Sequence, residues 1–274
     1  MLDALPPFNI QFEVNMTELL LDPSNLFLLA SVGLLAGFID AIVGGGGLLT
    51  VPTLLSLGLS PHLTLGTNKL AASFGSATAA FTYFKKNLFD PVFWKHSFYS
   101  SLIGALAGTL VINAIEAPWL DKFLPVLIFC VALYTLFNRL HDIDNQTLPA
   151  ITPDFKFKQK CQAFILGFYD GVSGPGTGAF WVISSMRLYQ LNILLASGLA
   201  KAMNFTSNIT ALCVFIYFGQ VNWIIGLTMG GCIMIGSYIG AHSAIRFGGK
   251  FIRPIFICVV LIMSLKLGYN AWLA

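Results

Sequence analysis

Charge is what this chain has least of. Asp, Glu, Lys and Arg make up 10% of its 274 residues, against about 25% in soluble domains. A water-facing surface needs more, which excludes an ordinary soluble domain. No basic face with interleaved aromatics exists, so nucleic acid is not an expected partner. Cys130, Cys161, Cys213, Cys232 and Cys258 show no CxxC or Cys/His spacing and read as small apolar packing residues. His62, His96, His141 and His242 also lack ligand spacing. There is no GxSxG, HExxH or P-loop, so no enzyme activity, cofactor or metal is expected. The first 25 residues hold Asp3, Glu13, Glu18 and Asp22 but no Lys or Arg, unlike a secretory signal. They read as a tail (1–25), part of it at the membrane surface.

What is abundant is apolar sequence, 56% of the chain. Runs at 26–43, 67–84, 92–113, 120–138, 198–218, 222–243 and 253–272 approach the ~20 residues that cross a bilayer as a helix. In lipid only helices and closed barrels satisfy their backbone, and these runs are too long and uniform for barrel strands. The expected class is an all-α integral membrane protein.

The two halves repeat each other. GFID at 37–40 returns as GFYD at 167–170, each followed by a glycine-rich break, VGGGG at 43–47 and GVSGPGTG at 171–178. Lys69 matches Lys201, Gly104 and Gly108 match Gly236 and Gly240, and Pro125 matches Pro254. A near-constant offset marks a duplication. Charge orients it: of the 15 Lys and Arg, 11 fall in loops that belong in the cytoplasm, around Lys85, Lys86 and Lys95, from Arg139 to Lys160, at Arg187, and around Arg246, Lys250 and Arg253. Lys122 lies outside, and Lys69, Lys201 and Lys266 fall within spans. On this scheme the three full crossings of one half run opposite to those of the other. The remaining segments, 26–58 and 161–192, read as glycine-broken helix hairpins meeting near mid-membrane, the pieces after the breaks about a dozen residues or slightly more and short for a span. Counted together there are about 8–10 helical segments. The first membrane repeat is 26–138, the cytoplasmic linker 139–160 and the second repeat 161–274.

Inverted repeats with interrupted helices place a transporter's site where the breaks face each other. A helix restarting after Gly44, Gly45, Gly46 and Gly47 presents unpaired N–H groups and a positive dipole end, an anion site in outline. The same holds for Gly174, Gly176 and Thr177. The alternative is close helix packing, which suits Gly33/Gly37, Gly104/Gly108, Gly226/Gly230 and Gly236/Gly240. Lys69 and Lys201, at the starts of spans with Asn68 and Asn204 nearby, either attract an anion, pair with an aspartate or snorkel to the surface. Asp40 and Asp170 precede the breaks and either brace them as ion pairs or titrate with transport. Ser73, Ser76, Thr78, Thr206, Asn208 and Thr210 bond an oxyanion or join helices.

The stretch 36–84, with GFIDAIVGGGGLLT and TNKLAAS, resembles the first repeat of the sulfite exporter TauE/SafE family, and GFYDGVSGPGTGAF and GLAKAMNFTSN resemble its second. The resemblance covers nearly the whole chain and is strongest to the YfcA-like branch. Gly44–Gly47, Asn68, Lys69, Asp170, Gly174, Gly176 and Lys201 match its motifs. It implies a multi-pass permease of the bacterial inner membrane, moving sulfite or small organosulfonates outward; the charge scheme places both termini on the periplasmic side. The expected substrate-binding set is Gly44, Gly45, Gly46, Gly47, Thr50, Asn68, Lys69, Ser73, Gly174, Gly176, Thr177, Lys201, Asn204 and Asn208. An anion channel of the same architecture and a non-transporting scaffold subunit stand as alternatives. The expected partners are a small anion and the lipid bilayer; homo-oligomerisation stays open.

Overall fold

A computed structural model describes residues 22–120, 122–124, 126, 130 and 147–248. The tail to residue 21, the linker to residue 146, and the spans expected at 120–138 and 253–272 lie wholly or largely outside the described residues. Pro125, Pro254, Cys258 and Lys266 lie there too.

Among the described residues there is helix and no strand. In chain order the helices are α1 (Pro23–Val43), α2 (Gly47–Ser56), α3 (Pro61–Lys85), α4 (Lys95–Asn113), α5 (Pro153–Val172), α6 (Thr177–Tyr189), α7 (Ile193–Tyr217) and α8 (Trp223–Phe247). Their starts follow local chemistry. Asp22, Thr152, Asn192 and Asn222 each accept a first-turn N–H, and Pro opens α1, α3 and α5.

Burial is reversed relative to a soluble protein. Phe27, Tyr217, Phe81 and Ile103 are exposed, while Lys69, Lys201, Asp170, Asn68, Asn204 and Asn208 are buried. An apolar exterior around a polar interior is what lipid demands. Pro23–Ile42, α7 and α8 are each long and apolar enough to cross a membrane. The described residues outside turns and loops are helical, and the chain is an integral membrane protein.

The helices pair closely. α1 lies along α8 and α4 along α5. Gly33 and Gly37 of α1 approach the Met229 and Ile233 backbone, and Gly236 and Gly240 of α8 approach Leu34 and Phe38. In the same way Gly104 and Gly108 of α4 meet Phe164 and Phe168, and Gly167 and Gly171 of α5 meet Ser101 and Ala105. Small residues let backbones touch, which drives helix association where lipid removes the hydrophobic force. Gly226 and Gly230 instead make room for Leu70 and Phe74 of α3. The helices α3 and α7 pack on each other at the centre and carry the short helices α2 and α6.

The starts of α5, α3 and α7 differ from the sequence reading. α5 begins at Pro153, inside the expected linker, because Thr152 caps it and Asp154 pairs with Lys158 at 2.7 Å. The hairpins are uneven. α1 has 21 residues and α5 20, while the pieces after the breaks, α2 with 10 and α6 with 13, are short, as the sequence indicated. α3 and α7 begin earlier than their apolar runs, at Pro61 and Ile193, which moves the two lysines inward.

Candidate functional site

Lys69 and Lys201 are each the ninth residue of a helix, not its start. They are 1% and 0% exposed, so neither snorkels to water. A buried ammonium must find acceptors. The Lys69 Nζ donates to the Asp170 carbonyl at 2.5 Å, to Asp170 Oδ1 at 2.8 Å and to Asn208 Oδ1 at 3.1 Å. Its three protons are all used. The Lys201 Nζ donates to the Asp40 carbonyl and lies 3.5 Å from Asp40 Oδ2. Each lysine of one half therefore pairs with the aspartate of the other.

The aspartates hold the breaks. α1 stops where Gly44 takes a φ of +79°, and Gly45 follows at +149°. The restart of α2 leaves N–H groups without intrahelical partners. Asp40 Oδ1 accepts two of them, from Gly45 at 3.0 Å and Gly46 at 3.1 Å. A carboxylate at a helix N-terminus is favoured by the dipole. Asp170 acts differently. Its Oδ1 accepts from Thr177 Oγ1 at 3.2 Å as well as from Lys69, and its Oδ2 accepts from Ser207. It joins α5, α6, α7 and α3. Tyr169 closes the same break by donating to the Pro175 carbonyl at 2.6 Å.

The two breaks touch. A Cβ on Gly44 would overlap the Gly178 backbone, and Gly47 lies against Pro175. Between them is a cavity of about 30 Å³, room for roughly two water molecules. Its wall includes Asp40, Gly45, Gly47, Asn68, Lys69, Asp170, Gly174, Gly176, Thr177, Asn204 and Asn208. Two lysines and two aspartates cancel, so the positive field left here comes from helix ends. The Gly47 and Gly178 N–H groups have no acceptor among the described residues. The Asn204 side-chain oxygen is buried without a partner.

Other expected site residues stand behind this wall. Thr50 donates to Asn68 Oδ1 at 2.5 Å, tying α2 to α3. Ser73 donates to the Lys69 carbonyl of its own helix at 2.7 Å. Ser76, Thr78, Thr206 and Thr210 also bond back along their helices. Gly44, Gly46 and Lys201 support the site from outside the cavity wall. Sequence reasoning missed Ala72 and Gly178, which line the cavity, and Ser207, which bonds Asp170. Ser207 had a signal: with Asn204 and Asn208 it falls at i, i+3, i+4, one face of α7.

The family model described as sulfite exporter TauE/SafE matches residues 29–267. The chain belongs to that family. It is 36% identical over 257 residues to "Probable membrane transporter protein YfcA" of Escherichia coli (strain K12), covering 92% of this chain and 93% of that one. It is 38% identical over 253 residues to a "Probable membrane transporter protein" of Haemophilus influenzae, covering 89% and 95%. A Sinorhizobium relative, "Probable membrane transporter protein ORF9", is 37% identical over 234 residues, covering 85% and 88%. No solved structure matches. This TauE/SafE member is a multi-pass bacterial membrane transporter, not an enzyme.

Proposed function

We propose that the chain is a secondary transporter that exports small anions of the sulfite or organosulfonate type across the inner membrane. Its site is the cavity where the two breaks meet. One observation carries this reading: crossed lysine–aspartate pairs hold two helix N-termini against one small polar cavity in an apolar protein. The family description, which names sulfite, supports the substrate class.

The two halves are inverted repeats, with the Lys85 end of α3 cytoplasmic and both termini periplasmic. The crossed helix pairing supports this, because α1 packs on α8 as α5 packs on α4. An entering anion meets the Gly47 and Gly178 N–H groups and the Asn204 amide. It competes with the Asp40 carboxylate, an internal anion already held by the Gly45 and Gly46 N–H groups. Asp40 is the more exposed aspartate, at 21% for its side chain against 4% for Asp170, and is the one free to yield. Once displaced it turns towards Lys201. Lys69 and Asp170 stay paired and brace the second break. The cavity fits about two waters, so the site opens by one half rocking on the other.

Flux of labelled sulfite and a small sulfonate into proteoliposomes tests this. Saturable flux that responds to a pH gradient gives a proton-linked transporter; saturable flux blind to the gradient leaves transport without proton coupling. Flux that never saturates supports a channel, and none from folded protein with either anion rejects this substrate class.

A further inference from the structure

A second cavity, of about 680 Å³, shares none of the first one's lining residues. It runs between the Lys85 end of α3, the start of α4 and the adjoining face of α7. Ala77, Phe81, Phe84, Phe89, Phe98 and Met203 form much of its wall. Its size falls within the ~300–1,000 Å³ of small-molecule sites. The wall is mostly apolar with its cations confined to the rim, so a small anion would leave most of the groove unfilled. It suits a hydrocarbon chain.

The rim is cationic. Lys95 forms part of the wall, and the Lys85 Nζ sits 4.4 Å over the Phe81 ring. Lys86 follows, and Lys156 and Lys160 join Lys95 in the positive field at His96. None of Lys85, Lys86 and Lys95 is in a salt bridge among the described residues. The acid of this connection, Asp90, is turned to the backbone, accepting from the Val92 and Phe93 N–H groups at 2.9 and 3.2 Å. An apolar slot with unpaired lysines at its mouth matches a ligand with one greasy end and one anionic end.

We propose that this groove binds an anionic phospholipid, one acyl chain along Phe81, Phe84 and Met203 and the phosphate group at Lys85 and Lys95. The lipid would bridge α3 and α7, the helices that carry Lys69 and Lys201. The inference does not depend on the substrate.

Native mass spectrometry of the full-length protein in detergent, titrated separately with phosphatidylglycerol and phosphatidylcholine, tests it. The expected result is about tenfold stronger retention of phosphatidylglycerol, roughly what one or two lysines near an anionic surface supply. Lys85→Gln with Lys95→Gln should reduce that preference and keep the weaker phosphatidylcholine binding. Ala77→Phe, which fills the groove, should remove both at an unchanged unfolding temperature. Equal retention of the two lipids by the wild type overturns the proposal without recourse to any variant. A preference that survives Ala77→Phe also overturns it, including where a second copy of the chain covers the groove.

Discussion

Lys69 and Lys201 occupy equivalent helix positions, yet their surroundings differ in strength. Lys69 has three acceptors and a partner at 2.8 Å; Lys201 has its aspartate at 3.5 Å. Removing one partner of a buried pair leaves an uncompensated charge and costs roughly 3–5 kcal/mol, whereas replacing both by apolar groups is often neutral. Lys69→Met should therefore destabilise strongly, and Lys69→Met with Asp170→Leu should recover most of the loss. Lys201→Gln should cost less, because Asp40 keeps the Gly45 and Gly46 N–H groups and is partly exposed. Denaturant titration of purified protein checks the ranking; equal losses for Lys69→Met and the double variant would refute it. The lysines and aspartates were legible as a repeated, costly pair of ion types. Their crossed pairing was not, since nothing in one strand of sequence says which lysine meets which aspartate.

At the scale of elements, the glycine breaks were readable because four consecutive glycines cannot continue a helix cheaply. The start of α5 was not, because capping and pairing at Pro153–Lys158 extend it through polar sequence. Nor did the composition tell which glycines turn the chain and which admit a neighbour. Gly44 does both, with φ +79° and the Gly178 backbone against it, while Gly45 has positive φ and a Cβ there would meet only the Leu48 side chain at an ordinary 3.6 Å. Gly45→Ala should cost only the backbone strain, about 1–3 kcal/mol. Gly44→Ala should cost more and separate the two breaks. Unfolding measured on both variants checks this; Gly45→Ala as damaging as Gly44→Ala would mean the breaks do not depend on their mutual contact.

For the whole molecule, membrane class and family were legible from apolar runs and motifs, whereas the proposed orientation rests on lysine and arginine placement alone. The proposed orientation, with α3 a crossing and its Lys85 end cytoplasmic, puts Ser60 and Asn87 on opposite sides. Ser60→Cys should react with an impermeant thiol reagent added outside cells, and Asn87→Cys only after permeabilisation, in a background without the native cysteines. The same side for both would remove α3 as a crossing.

The placement of the anion site is the central claim, and Asn204 tests it most directly. Its side-chain oxygen has no partner to lose, its amide N–H groups are the donors an anion would take, and the residue is only 6% exposed and lines the cavity. A hydrogen bond to a charged group contributes about 1.5–3 kcal/mol, and 1.4 kcal/mol is tenfold in affinity. In proteoliposomes, Asn204→Ala should leave the unfolding temperature unchanged and raise the half-saturating sulfite concentration about tenfold or more. Saturable flux with the same half-saturation in variant and wild type would contradict a site between the two breaks.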